Sequence, residues 1–117
     1  MNAGAIWIVD AFGCDPEALR SRERVAAVFD AAVRELSLHP VAPALWHVFP
    51  GEGGVTGLLP LSESHLACHT FPETGFATFD LHCCRPRGDW AWDERLGALL
   101  GATRVVVRRL ERGEGAA

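Results

Sequence analysis

Apolar and polar residues follow two different periods along the chain, and the longest helical pattern lies in its first third. Asp15, Pro16 and Glu17 form a typical helix start, because Asp caps well, Pro suits the first turn and Glu favours the positive end of the helix dipole. Pro40 stops the helix, which is predicted to end near residues 37–39. Its single apolar stripe consists of Val25, Val28, Phe29, Ala32, Val33 and Leu36.

A period of two, typical of half-buried strands, is clearest in residues 76–84. One predicted face carries Phe76, Thr78, Asp80, His82 and Cys84, and the other carries Ala77, Phe79, Leu81 and Cys83. Asp89 is predicted to cap a second helix that runs to about Gly101. Apolar segments bounded by Gly, Pro and polar residues predict the remaining strands at 6–12, 44–49, 55–61, 65–71 and 103–110.

The order of these elements predicts the fold class. A strand and a helix are followed by several strands in succession, then by a helix and a last strand, and short turns between successive strands favour antiparallel pairing. Two helices on one face of such a sheet form a two-layer α+β sandwich. No linker or repeat divides the sequence, so residues 1–117 are expected to form a single domain.

The composition excludes some kinds of chemistry. All 11 basic residues are Arg, so the chain has no lysine with which to hold pyridoxal phosphate as a Schiff base. Any imine chemistry therefore needs a carbonyl from another source, and the absence of Tyr excludes a tyrosine general acid. The net charge of −4 argues against a nucleic-acid partner, which usually requires a basic face.

The cysteines and the hydropathy suggest a compartment. The sequence shows no secretory signal and no apolar stretch long enough to span a bilayer, so a cytoplasmic protein without a membrane partner is expected. The 4 cysteines are then expected to be reduced thiols.

Polar chemistry is concentrated between Ser62 and Cys84. The ligand-type residues there are His65, Cys68, His69, His82, Cys83 and Cys84, but they include no CxxC pair, and on a strand His65 and His69 lie too far apart to chelate one ion easily. No metal is therefore expected. A nucleophilic pair of Cys84 with His82 or His69 stays open, because sequence cannot show that the side chains meet. Cys83 is the better core candidate, and His39 and His47 are expected to be surface and strand residues.

Residues 61–84 resemble the segment around the processing site of the bacterial and archaeal S-adenosylmethionine decarboxylase proenzymes, which are pyruvoyl-dependent. The family pattern is Ser-Glu-Ser-His, then His-Thr-aromatic-Pro-Glu, then an Asp and a Cys on the next strand, and each of these is present at matching spacing. Residues 13–15, 46–57 and 104–113 also fit the family, so the resemblance covers nearly the whole chain.

The resemblance implies a self-cleaved enzyme. Cleavage between Glu63 and Ser64 would give fragments 1–63 and 64–117, and Ser64 would become a pyruvoyl group, which supplies the carbonyl that a lysine-free chain needs. The implied reaction converts S-adenosylmethionine to its decarboxylated form and CO₂, which yields the aminopropyl donor for spermidine synthesis. Cys84 matches the residue that returns a proton to the substrate carbon.

Other roles follow from the same resemblance. His69 matches the residue that removes the serine α-proton during processing, and Thr56 matches a serine that helps the ester form. Glu73 matches the acid that binds the ribose hydroxyls, Phe49 matches an aromatic residue that stacks on adenine, and Phe71 takes a position that is often Trp.

The resemblance also implies a homodimer that forms an αββα sandwich with shared active sites. In each site Ser64 and Cys84 face the partner's Phe49, the partner's His69 and the partner's Glu73.

Two alternatives remain at this point. Ile6 stands where the family often has His, and the hairpin carries one extra residue around 52–54, so an arginine or ornithine decarboxylase on the same scaffold is possible. An unprocessed domain that binds a metal or another ligand is the alternative from another class.

Overall fold

The computed structural model describes residues 2–84 and 88–113. Its strands are β1 (Asn2–Phe12), β2 (Leu45–Val48), β3 (Val55–Leu61), β4 (Ser64–Phe71), β5 (Phe76–Cys83) and β6 (Arg104–Gly113). Its helices are α1 (Pro16–Arg20), α2 (Arg22–Glu35) and α3 (Trp92–Leu100), and a 3-10 turn (Pro72–Thr74) precedes β5.

The strands form one sheet in the order β2-β3-β4-β5-β1-β6, and every neighbouring pair is antiparallel. The strands from β2 to β5 follow one another in both sequence and space, as short connections favour. β1 lies between β5 and β6, so the first and last strands are neighbours in the half of the sheet farther from β2.

The core lies between one face of the sheet and the helices. Along β5, buried Ala77, Phe79, Leu81 and Cys83 alternate with half-exposed residues, which confirms the predicted period of two. Leu19, Val28 and Leu96 of the helices join the same buried cluster. The predicted α+β class, with helices on one face of an antiparallel sheet, is confirmed. The opposite face of the sheet, which carries His65, His69 and Phe71, is called the outer face below.

The helix predicted from residue 16 onwards is wrong as a single element, because it is interrupted at Ser21. The Ser21 backbone is extended, and its hydroxyl accepts a hydrogen bond from the Arg24 N–H at 3.1 Å. A strong N-cap residue therefore begins a second helix. The predicted cap at Asp15 is confirmed, since its carboxylate accepts from the Glu17 N–H.

The cap predicted at Asp89 is also wrong. Helix α3 begins at Trp92, and Ala91 occupies the N-cap position without a side-chain hydrogen bond. The Asp89 carboxylate instead accepts a 2.9 Å hydrogen bond from the indole N–H of Trp7 and lies 3.6 Å from Arg109. The local sequence predicted that the Asp89 side chain caps the helix, but contacts with residues of β1 and β6 hold it elsewhere.

Candidate active site

The expected cleavage site lies at a tight hairpin between β3 and β4. Ser62 and Glu63 form the turn, and Ser64 is the first residue of β4, paired with Leu61 on one side and Cys83 on the other. Ser64 is only partly buried. The bond between Glu63 and Ser64 is therefore exposed at a turn, while Ser64 itself is paired with residues of β3 and β5.

Cys84 lies one residue beyond β5 and shares a cavity with this turn. The cavity has a volume of about 360 Å³, and Glu63, Ser64 and Cys84 are among its lining residues. Cys84 is exposed, whereas the other three cysteines are buried. Burial raises the pKa of Cys14 to about 11 and that of Cys68 to about 12, so these two thiols stay protonated and inert. The accessible thiol is the one beside Ser64.

Thr56 and His69 meet on the outer face, as directly opposed residues of β3 and β4. The Thr56 hydroxyl lies 3.0 Å from Nδ1 of His69, which is hydrogen-bonding distance. This contact fixes the orientation of the imidazole ring and leaves its Nε2 directed away from Thr56. The sequence predicted both residues from the family pattern, but it could not show that they touch.

The predicted substrate-binding residues surround Thr56 and His69. Phe49, Phe71 and Glu73 line a second cavity of about 280 Å³ together with them. Phe71 stacks on Phe76 with ring centroids 5.8 Å apart, so one wall of this cavity is a supported aromatic surface. Glu73 is exposed in the 3-10 turn and is the acidic residue of that turn among those lining the cavity.

The two cavities lie apart within one chain. Ser64 and His69 are five residues apart on β4, or about 17 Å at the usual strand rise. The alternation along β4 also places Ser64 on the helix side and His69 on the outer face. One chain therefore brings Ser64 together with Cys84, and Thr56 together with His69, but it does not unite the two groups.

The alternative pairing of Cys84 with His82 or His69 receives no support from the described part of the chain, since neither histidine lines the Cys84 cavity. His82 instead faces its cross-strand partner His65, with ring centroids 5.5 Å apart. Burial, followed by the charges of His65 and Arg112, lowers the pKa of His82. A protonated His82 is therefore disfavoured in the folded chain.

The residues that follow α2 also line the Cys84 cavity, which could not be predicted from the sequence. Ser37, Leu38 and His39, which follow α2, line it together with Ser62. His39 is exposed, as expected, but it is also part of the site. No local pattern marks these residues, because a contact between 39 and 62 depends on the path of the loop after α2.

Two further properties concern the residues 2–84 and 88–113. No three His, Cys, Asp or Glu side chains in these ranges are grouped so that they could hold a metal ion. None of the helices there has the length and apolar character needed to cross a membrane.

Comparison with solved structures defines the class of protein. The crystal structure of an adenosylmethionine decarboxylase from Aquifex aeolicus VF5 superposes with a TM-score of 0.77 and 27% sequence identity, over 96% of this chain and 92% of that chain. The fold is thus that of a small α+β decarboxylase.

Sequence comparison then defines the family. The family model for S-adenosylmethionine decarboxylase matches residues 5–113. The S-adenosylmethionine decarboxylase proenzyme of Shouchella clausii is 36% identical over 116 residues, covering 92% of this chain and 83% of that protein. The proenzyme of Caldicellulosiruptor saccharolyticus is 32% identical over 114 residues, covering 91% and 85%. The chain belongs to the S-adenosylmethionine decarboxylase family.

Proposed function

We propose that this chain is a self-processing decarboxylase of S-adenosylmethionine, and that its active form arises by cleavage between Glu63 and Ser64. The observation that carries the proposal is the cavity in which the Glu63–Ser64 turn meets Cys84, the exposed thiol of the chain. The second cavity supports it with an imidazole, a carboxylate and aromatic rings, groups that suit processing and nucleoside binding.

The residues around Ser64 fit a pyruvoyl group. Cleavage at the turn would make Ser64 a new chain end, and its pairing with Cys83 would keep that end in the sheet. A pyruvoyl group there supplies a ketone that binds the substrate amine and withdraws electrons as CO₂ leaves. The Cys84 thiol, on the same cavity wall, can return a proton to the substrate carbon, because it is accessible while Cys83 beside it is buried.

His69 and Thr56 provide the groups for processing. In the proposed elimination, His69 removes the α-proton of Ser64, and the hydroxyl of Thr56 assists formation of the preceding ester. The 3.0 Å contact between them supports this assignment, since it holds the imidazole in one orientation beside the hydroxyl.

The second cavity fits the nucleoside part of the substrate. The Phe49 ring can stack on adenine and attract the adjacent sulfonium by a cation–π interaction. The carboxylate of Glu73 offers two acceptor oxygens to the vicinal ribose hydroxyls. Phe71, supported by Phe76, forms the apolar wall between them.

The separation of the two cavities supports a homodimer with shared sites. The outer face exposes apolar side chains that the helices do not cover, including Leu58, 42% exposed, and Phe71, 39% exposed. In the proposed dimer two outer faces pack together, which gives an αββα sandwich. Ser64 begins β4 and Cys84 follows β5, so in this dimer the partner's His69 would approach them at the strand ends, where a single chain brings no His69.

Denaturing mass spectrometry tests the processing. The wild-type chain should give fragments 1–63 and 64–117, the latter without a free amine and with a reducible carbonyl, while Ser64→Ala should stay intact. The processed protein should release CO₂ from S-adenosylmethionine in preference to arginine or ornithine. An intact wild-type chain would contradict the proposal, and a preference for either amino acid would reassign the substrate.

Co-expression tests the shared site. Ser64→Ala and His69→Ala should each be inactive alone, but a mixed dimer contains one site with an intact Ser64, Cys84 and His69. Random pairing makes about half of the dimers mixed, so about a quarter of the wild-type activity should return. The matched control, Ser64→Ala with Cys84→Ser, should restore none, since those residues belong to the same half-site. Equal results from the two mixtures would exclude the shared site.

A further inference from the structure

One wall of the Cys84 cavity is formed by the residues that end helix α2 and begin the loop after it. Ser37 follows α2 with a left-handed backbone, φ 54°, and the N–H of Leu38 donates to the carbonyl of Val33 at 2.9 Å. Together these form a helix C-cap of the Schellman type, with Leu38 only 5% exposed as its apolar anchor. The position of the next residue, His39, is thereby fixed relative to the core.

The same loop is bound directly to the cleavage turn. The Ser62 N–H donates to the carbonyl of His39 at 2.9 Å, and the Val41 N–H donates to the carbonyl of Pro60 at 3.2 Å. Pro40 also forms an antiparallel bridge with Leu61. The loop thus runs beside the end of β3 like a short extra strand, and it holds His39 in a defined register next to the bond that must break.

The other histidines near this bond in sequence are directed elsewhere. His65 lies on the outer face with its ring against His82. His69 of the same chain is about 17 Å along β4. Within the described part of the chain, His39 is the one histidine among the residues that line the cavity containing Glu63 and Ser64. Glu63 itself also lines this cavity, but a carboxylate is a weaker base than imidazole near neutral pH.

We propose that His39 carries the proton in the first step of processing, from within the same chain as the bond that breaks. This inference rests on the self-cleavage proposed above. Ser64 Oγ attacks the carbonyl carbon of Glu63, so that a C–O bond forms and the C–N bond breaks. The proton lost from Oγ passes through the His39 imidazole to the Ser64 nitrogen, which leaves as an amine. The products are an ester and a free amine, and no other reactant is needed.

Two histidines then serve two separate steps. His39 acts on the amide before the ester exists, and the partner's His69 acts on the ester afterwards. Loss of either blocks processing, but the chains that accumulate differ chemically: an amide in the first case and an ester in the second. Hydroxylamine cleaves the ester and leaves the amide intact, so it distinguishes the two blocks.

The experiment follows freshly synthesised full-length chains by mass spectrometry, with and without hydroxylamine. His39→Gln and His39→Ala should slow cleavage by about 100-fold, the usual contribution of a positioned general base. Their uncut chains should resist hydroxylamine, whereas those of His69→Ala should be cut at residue 63. Asp30→Asn, at an exposed position of α2 that lines neither cavity, is the control and should process like wild type.

Two results would overturn the role of His39. One is wild-type cleavage rates in both His39 variants, and the other is a hydroxylamine-sensitive ester in their uncut chains. Because His39 is exposed, both variants should melt like Ser64→Ala, which separates a lost proton carrier from a misfolded chain. Failure of the wild-type chain to cleave would instead refute self-cleavage itself, so the two failures are distinguishable.

Discussion

The hydroxyl of Thr70 joins three parts of the fold that hold the second cavity in place. Thr70 is 4% exposed, and its Oγ1 donates to the carbonyl of Leu19 at 2.8 Å and accepts from the N–H of Val55 at 2.8 Å. Leu19 lies in the last turn of α1, where carbonyls have no partner within the helix. One side chain therefore satisfies two buried backbone groups that belong to α1 and β3.

Thr70→Val removes both hydrogen bonds without leaving a cavity, because valine has nearly the shape of threonine. A buried backbone group left without a partner costs about 1–3 kcal/mol, so the two groups together should cost about 2–6 kcal/mol. That is a large fraction of the roughly 5–15 kcal/mol that stabilises a domain. Thr70→Ser keeps the hydroxyl and loses one buried methyl group, for which about 1 kcal/mol is expected.

Urea unfolding measures the difference, and it is best performed on the Ser64→Ala chain so that one unbroken polypeptide unfolds. The midpoint should fall much further for Thr70→Val than for Thr70→Ser, at an unchanged slope with urea concentration. The reasoning is refuted if the valine variant is as stable as the serine variant. In that case packing, and not the two hydrogen bonds, would hold α1 against the sheet.

Three further predictions concern single side chains. In the native Ser64→Ala chain a thiol reagent should modify one cysteine rapidly, and Cys84→Ser should abolish this fast reaction, because the other thiols are buried. Folding keeps the pKa of His82 below its ordinary 6.5, through burial and then the charge of His65, so urea stability should be highest above that pH and decline as the pH falls below it. His82→Gln should flatten this decline, and an unchanged profile would exclude His82 as its source. Gly57→Ala should lower stability by about 1–3 kcal/mol in the same assay, since its Cβ would lie 2.4 Å from the Trp46 ring; a neutral result would show that the ring moves aside freely.

The regular parts of the fold could be predicted because the sequence repeats its pattern there. Residues 76–83 alternate without interruption between core and outer positions, and the structure buries every second one. The turn at 62–63 is likewise bounded by two apolar strands that the pattern predicts separately. Antiparallel pairing then followed from the shortness of the connections.

The errors arose where a side chain had more than one possible partner. Ser21 could occupy the middle of a helix or begin a new one, and its hydrogen bond to Arg24 selects the second possibility. Asp89 could cap α3, but the indole of Trp7 binds its carboxylate. Both outcomes depend on contacts formed only after folding, and in the case of Asp89 the partner lies 82 residues away.

In the candidate site, too, the contacts that form only on folding could not be predicted from the sequence. Family motifs predicted Ser64, His69 and Cys84 as individual residues, but two elements of geometry were invisible in the sequence. One is the distance along β4 between Ser64 and His69, which becomes evident only when both lie on the same strand. The other is His39, which reaches the site through a backbone hydrogen bond to Ser62.

Because Ser64 and His69 lie apart along β4, the proposed processing depends on formation of the dimer. If His39 of one chain moves the proton in the rearrangement, while the partner's Thr56 assists it and the partner's His69 resolves the ester, an isolated chain lacks partner groups for both steps. The rearrangement is reversible, because the amine it releases stays beside the ester, so any ester that an isolated chain forms exchanges with the amide and is not cut. Irreversible cleavage would then require the αββα dimer. The pyruvoyl group would form only in chains that already have the partner's half-site opposite them, so a reactive ketone would not appear in a site unable to use it.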